Sequence, residues 1–506
     1  MNLKKIYTSV LAIFSGAILP IAFAPFGFYL VAEISLILLL FIWAKATPRL
    51  AFWYGWLFGV GFFGCGVYWI YISICYYGHA PIVLSFVIVA ILVAFMALYL
   101  ALQGYILQRF FPRNTWHKFV LAFPASFTIL EWIRGWLFSG FPWLFLGYGH
   151  VTSPLRGYAT VFGVYGVTFA ISATAGAIFY ILYDRKNRRL CIALSMFVLS
   201  LWIIGAILTK INWVKQAGKA TLVPVTLIQG NVSQERKWDP KEVLPILDTY
   251  ISLTKSSLNR NAENSKIIIW PEAAITTHPE DIAQYLTLLA DTARKNHATI
   301  LSGIPLYDKT NGSFYNGIIV LGAGSGRYYK RQLVPFGEYL PFRFILNWLH
   351  NFFVISMSDF TSGMRQQPDL IAEDIIFAPA ICYEIAYPYL ILDYLPRANM
   401  LVTVSDDSWF GESIAAAQHA QIAQIRSLEV GRYQLLCTNT GITAIIDHQG
   451  KIVARAETFQ QVVLSTKVKS FTGSTPWVFC GRYLWLLLMF CNLWWARSRC
   501  IETSIP

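Results

Sequence analysis

The stretch Ala378-Pro-Ala-Ile-Cys382-Tyr383-Glu384 puts a thiol at the point where an apolar run stops. Residues Ile375 to Ile381 read as a buried strand. Cys382 is therefore expected at a strand end, held by rigid backbone where a site can open. Two earlier strand ends carry candidate partners: Ile267-Ile-Ile-Trp-Pro-Glu272 finishes in a carboxylate, and Gly326-Arg-Tyr-Tyr-Lys330 in an ammonium. A thiol must lose its proton to attack a carbonyl, and a carboxylate within hydrogen-bond reach can take it. Lys330 can hold the developing oxyanion, helped by the backbone N–H after the nucleophile, that of Tyr383. No histidine is needed, and none lies near Cys382 in sequence. Alone, Cys382 is more simply a buried cysteine. The ordered set of three points to acyl transfer.

The surroundings of these residues are far from those of a soluble enzyme. The chain has 506 residues, 56% of them hydrophobic, with a mean hydropathy of +0.50. Only 13% are charged, against about 25% in an ordinary soluble domain, so much of the chain is expected in lipid. Before Ile211 the acids are Glu33, Glu131 and Asp184, and all others follow. A membrane part is thus expected first and a water-facing part second. The net charge of +13 comes without a basic stripe interleaved with aromatics, which argues against nucleic acid. It suits cytoplasmic anchoring and affinity for anionic lipid.

Eight cysteines are too scattered for a disulfide framework. Cys65, Cys75, Cys191, Cys480 and Cys491 fall in apolar spans, Cys500 lies in the tail, and only Cys382 and Cys437 belong to the polar part. No cysteine or histidine spacing suits a metal, so neither a metal nor another cofactor is expected.

Apolar segments near 6–24, 27–44, 52–76, 81–108, 117–138, 160–183 and 189–209, with an eighth from about Trp477 to Trp495, are close to the roughly 20 residues that cross a bilayer. The first could be a cleavable signal peptide around Ala22-Phe-Ala24; because further spans follow at once, an uncleaved span is expected. Lys4/Lys5, Lys45/Arg49, Arg109/Arg113/Lys118, the Arg185–Arg189 cluster and Arg497/Arg499 fall at alternate ends. That distribution predicts both termini in the cytoplasm and the polar part outside it. ATP and acyl-CoA are then poor candidates as donors. One outward loop, Glu131 to Tyr148, is strongly aromatic. It reads as an interfacial belt with a Glu131–Arg134 ion pair or, alternatively, as a lipid-access surface.

From about Leu222 to Ser470 the texture alternates between strand and helix, which implies an α/β layered domain. Strands are expected at Leu222–Gln229, Lys266–Trp270, Thr299–Ile304, Gly317–Leu321, Ile375–Ile381, Met400–Val404, Gln434–Thr438 and Ala444–Asp447. Helices are expected at Pro240–Ser257, Pro279–His297 and Ser413–Gly431, with Asp239 and Ser413 as N-caps. His419, Arg426, Glu429 and Arg432 on the last helix read by default as surface or structural ion pairing.

Trp270-Pro-Glu272, Tyr329-Lys330, Cys382-Tyr-Glu384, Ser405-Asp-Asp-Ser-Trp409-Phe-Gly and Arg432…Asn439-Thr-Gly-Ile together resemble the nitrilase, or carbon–nitrogen hydrolase, superfamily. Within it the chain looks like the apolipoprotein N-acyltransferase family of Gram-negative bacteria. Gly140-Phe-Pro-Trp143…Gly147-Tyr148 and Val334-Pro-Phe-Gly-Glu338-Tyr-Leu-Pro341 carry that likeness too, with no departure at the triad. The resemblance implies eight transmembrane helices with a nitrilase-like αββα sandwich inserted before the last. The corresponding division is a membrane domain over 1–212, a catalytic domain over 213–470, and an eighth helix with a cytoplasmic tail over 471–506.

The resemblance further implies Glu272 as general base and acid, Lys330 as oxyanion stabiliser and Cys382 as nucleophile. Glu338 would orient the site, with Tyr383 and Glu384 in support. Trp238 would sit on a mobile gating loop, and Trp409, Trp143 and Tyr148 would contact lipid. The plainer readings are a surface acid for Glu338 and a packing aromatic for Trp238. The implied donor is a phospholipid and the acceptor a diacylglyceryl-modified apolipoprotein, at the inner membrane with the catalytic domain in the periplasm. A monomer is expected. A membrane-anchored amidase or nitrilase would use the same triad, although eight spans are a costly anchor for a soluble substrate. A transporter or lipid-binding scaffold would be expected to put more polar groups inside its spans.

Overall fold

The computed structural model describes residues 3–217, 222–260, 266–310, 312–340, 360–481 and 483–502. Pro341, cited above, lies outside them. The chain divides into two compact units. One comprises Met1–Tyr71, Pro81–Asn212 and Thr475–Pro506; the other comprises Ile72–Ala80 and Trp213–Ser474.

The first unit is helical. Among the described residues four helices are long and apolar enough to cross a membrane: Leu3–Ala22, Ile82–Phe110, Pro154–Tyr183 and Arg188–Leu208. A fifth span results if Pro48–Gly66 and Ile70–Tyr77, bent by 61° at their junction, count as one. Leu30–Trp43 has 14 residues, short of a full crossing by itself, while Phe123–Arg134 continues directly from the π-helical turn Lys118–Ala122. Arg188–Leu208 shows why hydropathy is the governing signal. It exposes Ile192, Met196, Leu199, Ile203 and Ile207, an apolar stripe that would drive aggregation in water and is at home in hydrocarbon. Helices elsewhere in the unit close on small residues, as membrane helices do. A Cβ on Gly59 would come within 2.6 Å of the Ala97 Cα, so only glycine lets Pro48–Gly66 and Ile82–Phe110 approach there.

The aromatic loop folds inward more than its composition suggested. Glu131 and Arg134 pair at 3.6 Å, both buried. Arg134 donates to the carbonyls of Phe141 and Trp143, and Glu131 accepts from the Leu146 N–H and the Thr168 hydroxyl. The pair thereby ties the loop to its own helix and to Ala159–Tyr183. Trp143 and Tyr148 are each 1% exposed, whereas Trp136 and Phe138 stand out at 48% and 64%.

Among the described residues the second unit is built on two six-stranded sheets. In chain order its strands are β1 (Val214–Gln216), β2 (Val223–Gln229), β3 (Ile267–Ile269), β4 (Thr299–Asp308), β5 (Ser313–Gly322), β6 (Arg327–Tyr329) and β7 (Leu370–Ala372). There follow β8 (Ile375–Ile381), β9 (Met400–Ser405), β10 (Gln434–Thr438), β11 (Ala444–Ile446), β12 (Ile452–Arg455), β13 (Val462–Val468) and β14 (Phe471–Gly473). One sheet runs β13-β2-β3-β4-β5-β6 and the other β12-β11-β10-β9-β8-β7, while β1 and β14 form a separate pair. In each large sheet three central strands are parallel, β2-β3-β4 and β8-β9-β10. Their near-continuous Ile, Val and Leu runs are what strands covered on both faces require.

Helices Val243–Arg260 and Ala283–Lys295 cover the outer face of the first sheet, with Ile246, Leu247, Tyr250, Leu286 and Leu289 packed on Ile268, Trp270 and Ile300. Between the sheets the buried Cys437 thiol on β10 reaches the Ile228 and Ile269 carbonyls of β2 and β3. Helix Ala415–Val430 lies on the second sheet. The layering is helix, sheet, sheet, helix, as expected. Arg426 pairs with Glu429 and also holds the Ile385 carbonyl, and Arg432 holds those of Ala398 and Gly473. These groups are structural, and fully buried rather than on the surface.

Candidate active site

The ends of β3, β6 and β8 bring the chemistry together. β3 delivers Trp270-Pro271-Glu272, with the Trp270 indole fixed on Thr254 at 3.0 Å. Gly303 on β4 makes room, since a Cβ there would lie 2.6 Å from the Glu272 Cα. β6 ends one residue before Lys330, and β8 ends one residue before Cys382. Ala273, Phe336 and Cys382, at or next to the site, all have positive φ, +45°, +60° and +54°. Non-glycine residues hold that conformation only where the surroundings enforce it.

The Lys330 ammonium is buried and lies 2.8 Å from Glu338 Oε1 and 3.4 Å from Glu272 Oε1. Asn316 on β5 donates to both carboxylates, at 2.7 Å to Glu272 and 2.9 Å to Glu338. The second Glu272 oxygen accepts the Asp406 N–H at 2.9 Å, and the second Glu338 oxygen accepts that of Val334 at 2.9 Å. Burial alone would discharge Lys330, but Glu338 and Glu272 outweigh it and raise its pKa above the lysine range. It is therefore a fixed cation and no proton acceptor. Burial also raises the Cys382 thiol well above the usual cysteine range, with Glu272 adding to the effect and Lys330 opposing it. Such a thiol stays protonated at neutral pH until a base takes its proton as it attacks.

Glu384 is fully buried two residues after the thiol. Its carboxylate accepts the Tyr328 hydroxyl and the backbone N–H groups of Ile381, Arg331 and Gln332. One side chain thus ties the end of β8 to β6 and to the segment leaving Lys330. Burial raises its pKa, with the Gln332 N–H among the groups pulling it back. Tyr383, half-buried, sets its ring 5.1 Å from that of Tyr387.

A match to known families joins this geometry to the helical unit. Residues 15–177 match the family described as apolipoprotein N-acyltransferase N-terminal domain, and residues 224–476 match carbon–nitrogen hydrolases. A protein of Coxiella burnetii named apolipoprotein N-acyltransferase is 43% identical, over 92% of this chain and 95% of its own. One of the same name from Methylococcus capsulatus is 40% identical, over 93% and 92%. The chain belongs to the apolipoprotein N-acyltransferase family. Among solved structures, yeast Nit3, a member of branch 10 of the nitrilase superfamily, aligns over 51% of this chain and 92% of its own, at 16% identity and a TM-score of 0.38. The family matches and the relatives above carry the assignment.

The other residues singled out divide between the two units. Trp238 is 49% exposed and donates its indole N–H to Gln234 at 3.1 Å. Trp409 is half-buried; its carbonyl accepts the Ser73 hydroxyl at 2.7 Å, and its ring meets Tyr77 at 5.9 Å. Trp143 and Tyr148 lie inside the helical unit.

Sequence reasoning missed three groups at the site. Asn316 bridges two carboxylates, yet a single asparagine in a strand run gives no pattern. Lys237, beside Trp238, is buried; it holds the Glu272 carbonyl at 2.9 Å and pairs with Asp406. The Ser405-Asp-Asp stretch carries the family likeness, but the sequence gives no sign of its partners. Asp406 backs Glu272, while Asp407 accepts the Ser405 hydroxyl and faces His419.

Proposed function

We propose that the chain transfers an acyl chain from a phospholipid, through a thioester on Cys382, to the α-amino group of an N-terminal diacylglyceryl-cysteine on apolipoproteins. The observation that carries this reading is the likeness, over more than nine-tenths of the chain, to proteins named for that activity. The site supports it in detail: a protonated thiol at a strand end, and a fixed cation shared by two carboxylates.

Cys382 Sγ attacks the ester carbonyl while Glu272 takes the thiol proton. Lys330 and the Tyr383 N–H stabilise the oxyanion. As the intermediate collapses the C–O bond breaks, Glu272 returns the proton to the leaving alkoxide, and lysophospholipid departs. The acceptor amine then attacks the thioester, Glu272 takes an amine proton, the C–S bond breaks, and Cys382 recovers its thiol. The thioester conserves acyl-transfer potential, so no nucleotide is consumed. Water must be excluded, or the intermediate hydrolyses.

Glu338 and Glu384 position Lys330 and the nucleophile. Trp238, exposed beside the Lys237 anchor, gates lipid, and Trp409 and Tyr383 flank its route. Trp143 and Tyr148, buried within the helical unit, pack the aromatic loop from within. The reading includes eight spans over 1–212 and 471–506, a periplasmic catalytic domain over 213–470, cytoplasmic termini and a monomeric enzyme in the bacterial inner membrane. The charge distribution between segments supports that orientation.

The test is product analysis on purified protein supplied with phospholipid and a synthetic diacylglyceryl-cysteinyl peptide. The peptide should gain one acyl chain as an amide, with lysophospholipid appearing in equal amount. Free fatty acid beside an unmodified peptide would identify a hydrolase instead.

A further inference from the structure

Behind the nucleophile lies a second buried cluster that the proposed chemistry does not use. His419, 1% exposed on helix Ala415–Val430, sits between two acceptors. Its Nδ1 is 3.1 Å from Asp407 Oδ1, and its Nε2 is 3.1 Å from the Cys382 carbonyl oxygen. A neutral imidazole has one donor and one acceptor nitrogen, so it can satisfy only one of these partners; the doubly protonated ring satisfies both. Burial works against the charge, but the Asp407 carboxylate outweighs it, with the Cys382 carbonyl and Glu272 adding, and holds His419 above the usual histidine range. The Ser405 hydroxyl donates to Asp407 at 2.7 Å. The network is therefore a relay from the Cys382 carbonyl through His419 and Asp407 to Ser405. It grips the nucleophile by its backbone carbonyl.

We propose that His419, as an imidazolium paired with Asp407, is a positioning residue that clamps the Cys382 carbonyl and keeps the nucleophile in its left-handed backbone conformation. The backbone of the nucleophile needs a clamp. Cys382 has φ +54°, a conformation a side-chain-bearing residue leaves unless it is held. A turn about that backbone would swing Sγ away from Glu272 and Lys330. Glu384 holds the residue before Cys382 by its N–H; His419 holds Cys382 itself. The inference rests on Cys382 being the nucleophile proposed above.

The experiment compares wild type, His419→Leu and His419→Gln for the single-turnover rate of thioester formation from phospholipid without acceptor, the donor KM and the thermal midpoint. Leucine keeps the bulk and removes the donor; glutamine restores an N–H toward the carbonyl without the ring. The expected result is a fall of about 100-fold in acylation rate for the leucine variant, with donor KM unchanged and most of the rate recovered in the glutamine variant. A wild-type rate in His419→Leu would overturn the proposal. So would equal losses in both variants tracking a fall in thermal midpoint, which would make His419 a packing residue, or a rise in KM alone. Should His419→Leu fail to fold, Asp407→Asn, which removes the charge that keeps the ring doubly protonated, takes its place with the same readings. Absence of a thioester in wild type would instead count against the proposed function.

Discussion

Glu272→Gln is expected to slow thioester formation by about 10²- to 10⁴-fold, the range for loss of a positioned general base. The reason lies in the thiol. Burial and the neighbouring carboxylate keep Cys382 protonated, so the reactive thiolate is scarce unless a base acts in the attacking step. Lys330, its pKa raised by two carboxylates, cannot serve, and His419 faces the Cys382 carbonyl oxygen. In the proposed mechanism Glu272, the carboxylate with the larger effect on the thiol, takes the proton. Glutamine has nearly the same shape but one acceptor oxygen, whereas Glu272 receives hydrogen bonds on both: from Asn316 and Lys330 on one, from the Asp406 N–H on the other. The amide N–H₂ must face one of those donors, which adds a folding cost of about 1–3 kcal/mol. Single-turnover rates measured well below the variant's thermal midpoint separate the two effects. A rate within a few-fold of wild type would remove Glu272 from the mechanism.

Lys330→Met is expected to lose about 10²- to 10³-fold in acylation, the range for removal of one oxyanion-stabilising donor. Here the electrostatic consequence extends beyond the lost donor. Glu272 and Glu338 share the one ammonium, with Asn316 as the neutral bridge. Without the cation two buried carboxylates face each other, and one of them is driven to protonate. If that one is Glu272, the base is lost together with the oxyanion donor. The variant should therefore show an activity optimum displaced to higher pH, where both acids ionise. Lys330→Arg should not rescue it, because a planar fork cannot replace a compact point charge between two oxygens. Full activity in Lys330→Met would show that the oxyanion is held elsewhere.

What the sequence made legible follows from what its patterns encode. Strands β8 and β10 fall at Ile375–Ile381 and Gln434–Thr438, as expected, because a central parallel strand is an apolar run with sharp ends. The short edge strands β7 and β12 and the β1–β14 pair gave no such contrast and were not anticipated. Glu272, Lys330 and Cys382 were visible as polar residues ending apolar runs. Asn316 was not, because its importance comes from β5 pairing with both β4 and β6, a tertiary fact. His419 had a default reading as surface or structural pairing; thirty-seven residues separate it from the carbonyl it faces. Hydropathy told lipid from water, but not which aromatics of an apolar loop turn inward. Trp143 and Tyr148 are buried, while Trp136 and Phe138 are exposed.

The most direct test of the central claim is the intact mass of wild type, Cys382→Ala and Cys437→Ala after incubation with phospholipid and no acceptor. Cys437 is the internal control, a buried thiol wedged between the sheets with its pKa raised by burial. One added acyl mass on wild type and Cys437→Ala, released by neutral hydroxylamine and absent from Cys382→Ala, is the predicted result. An acyl adduct that persists in Cys382→Ala would contradict it.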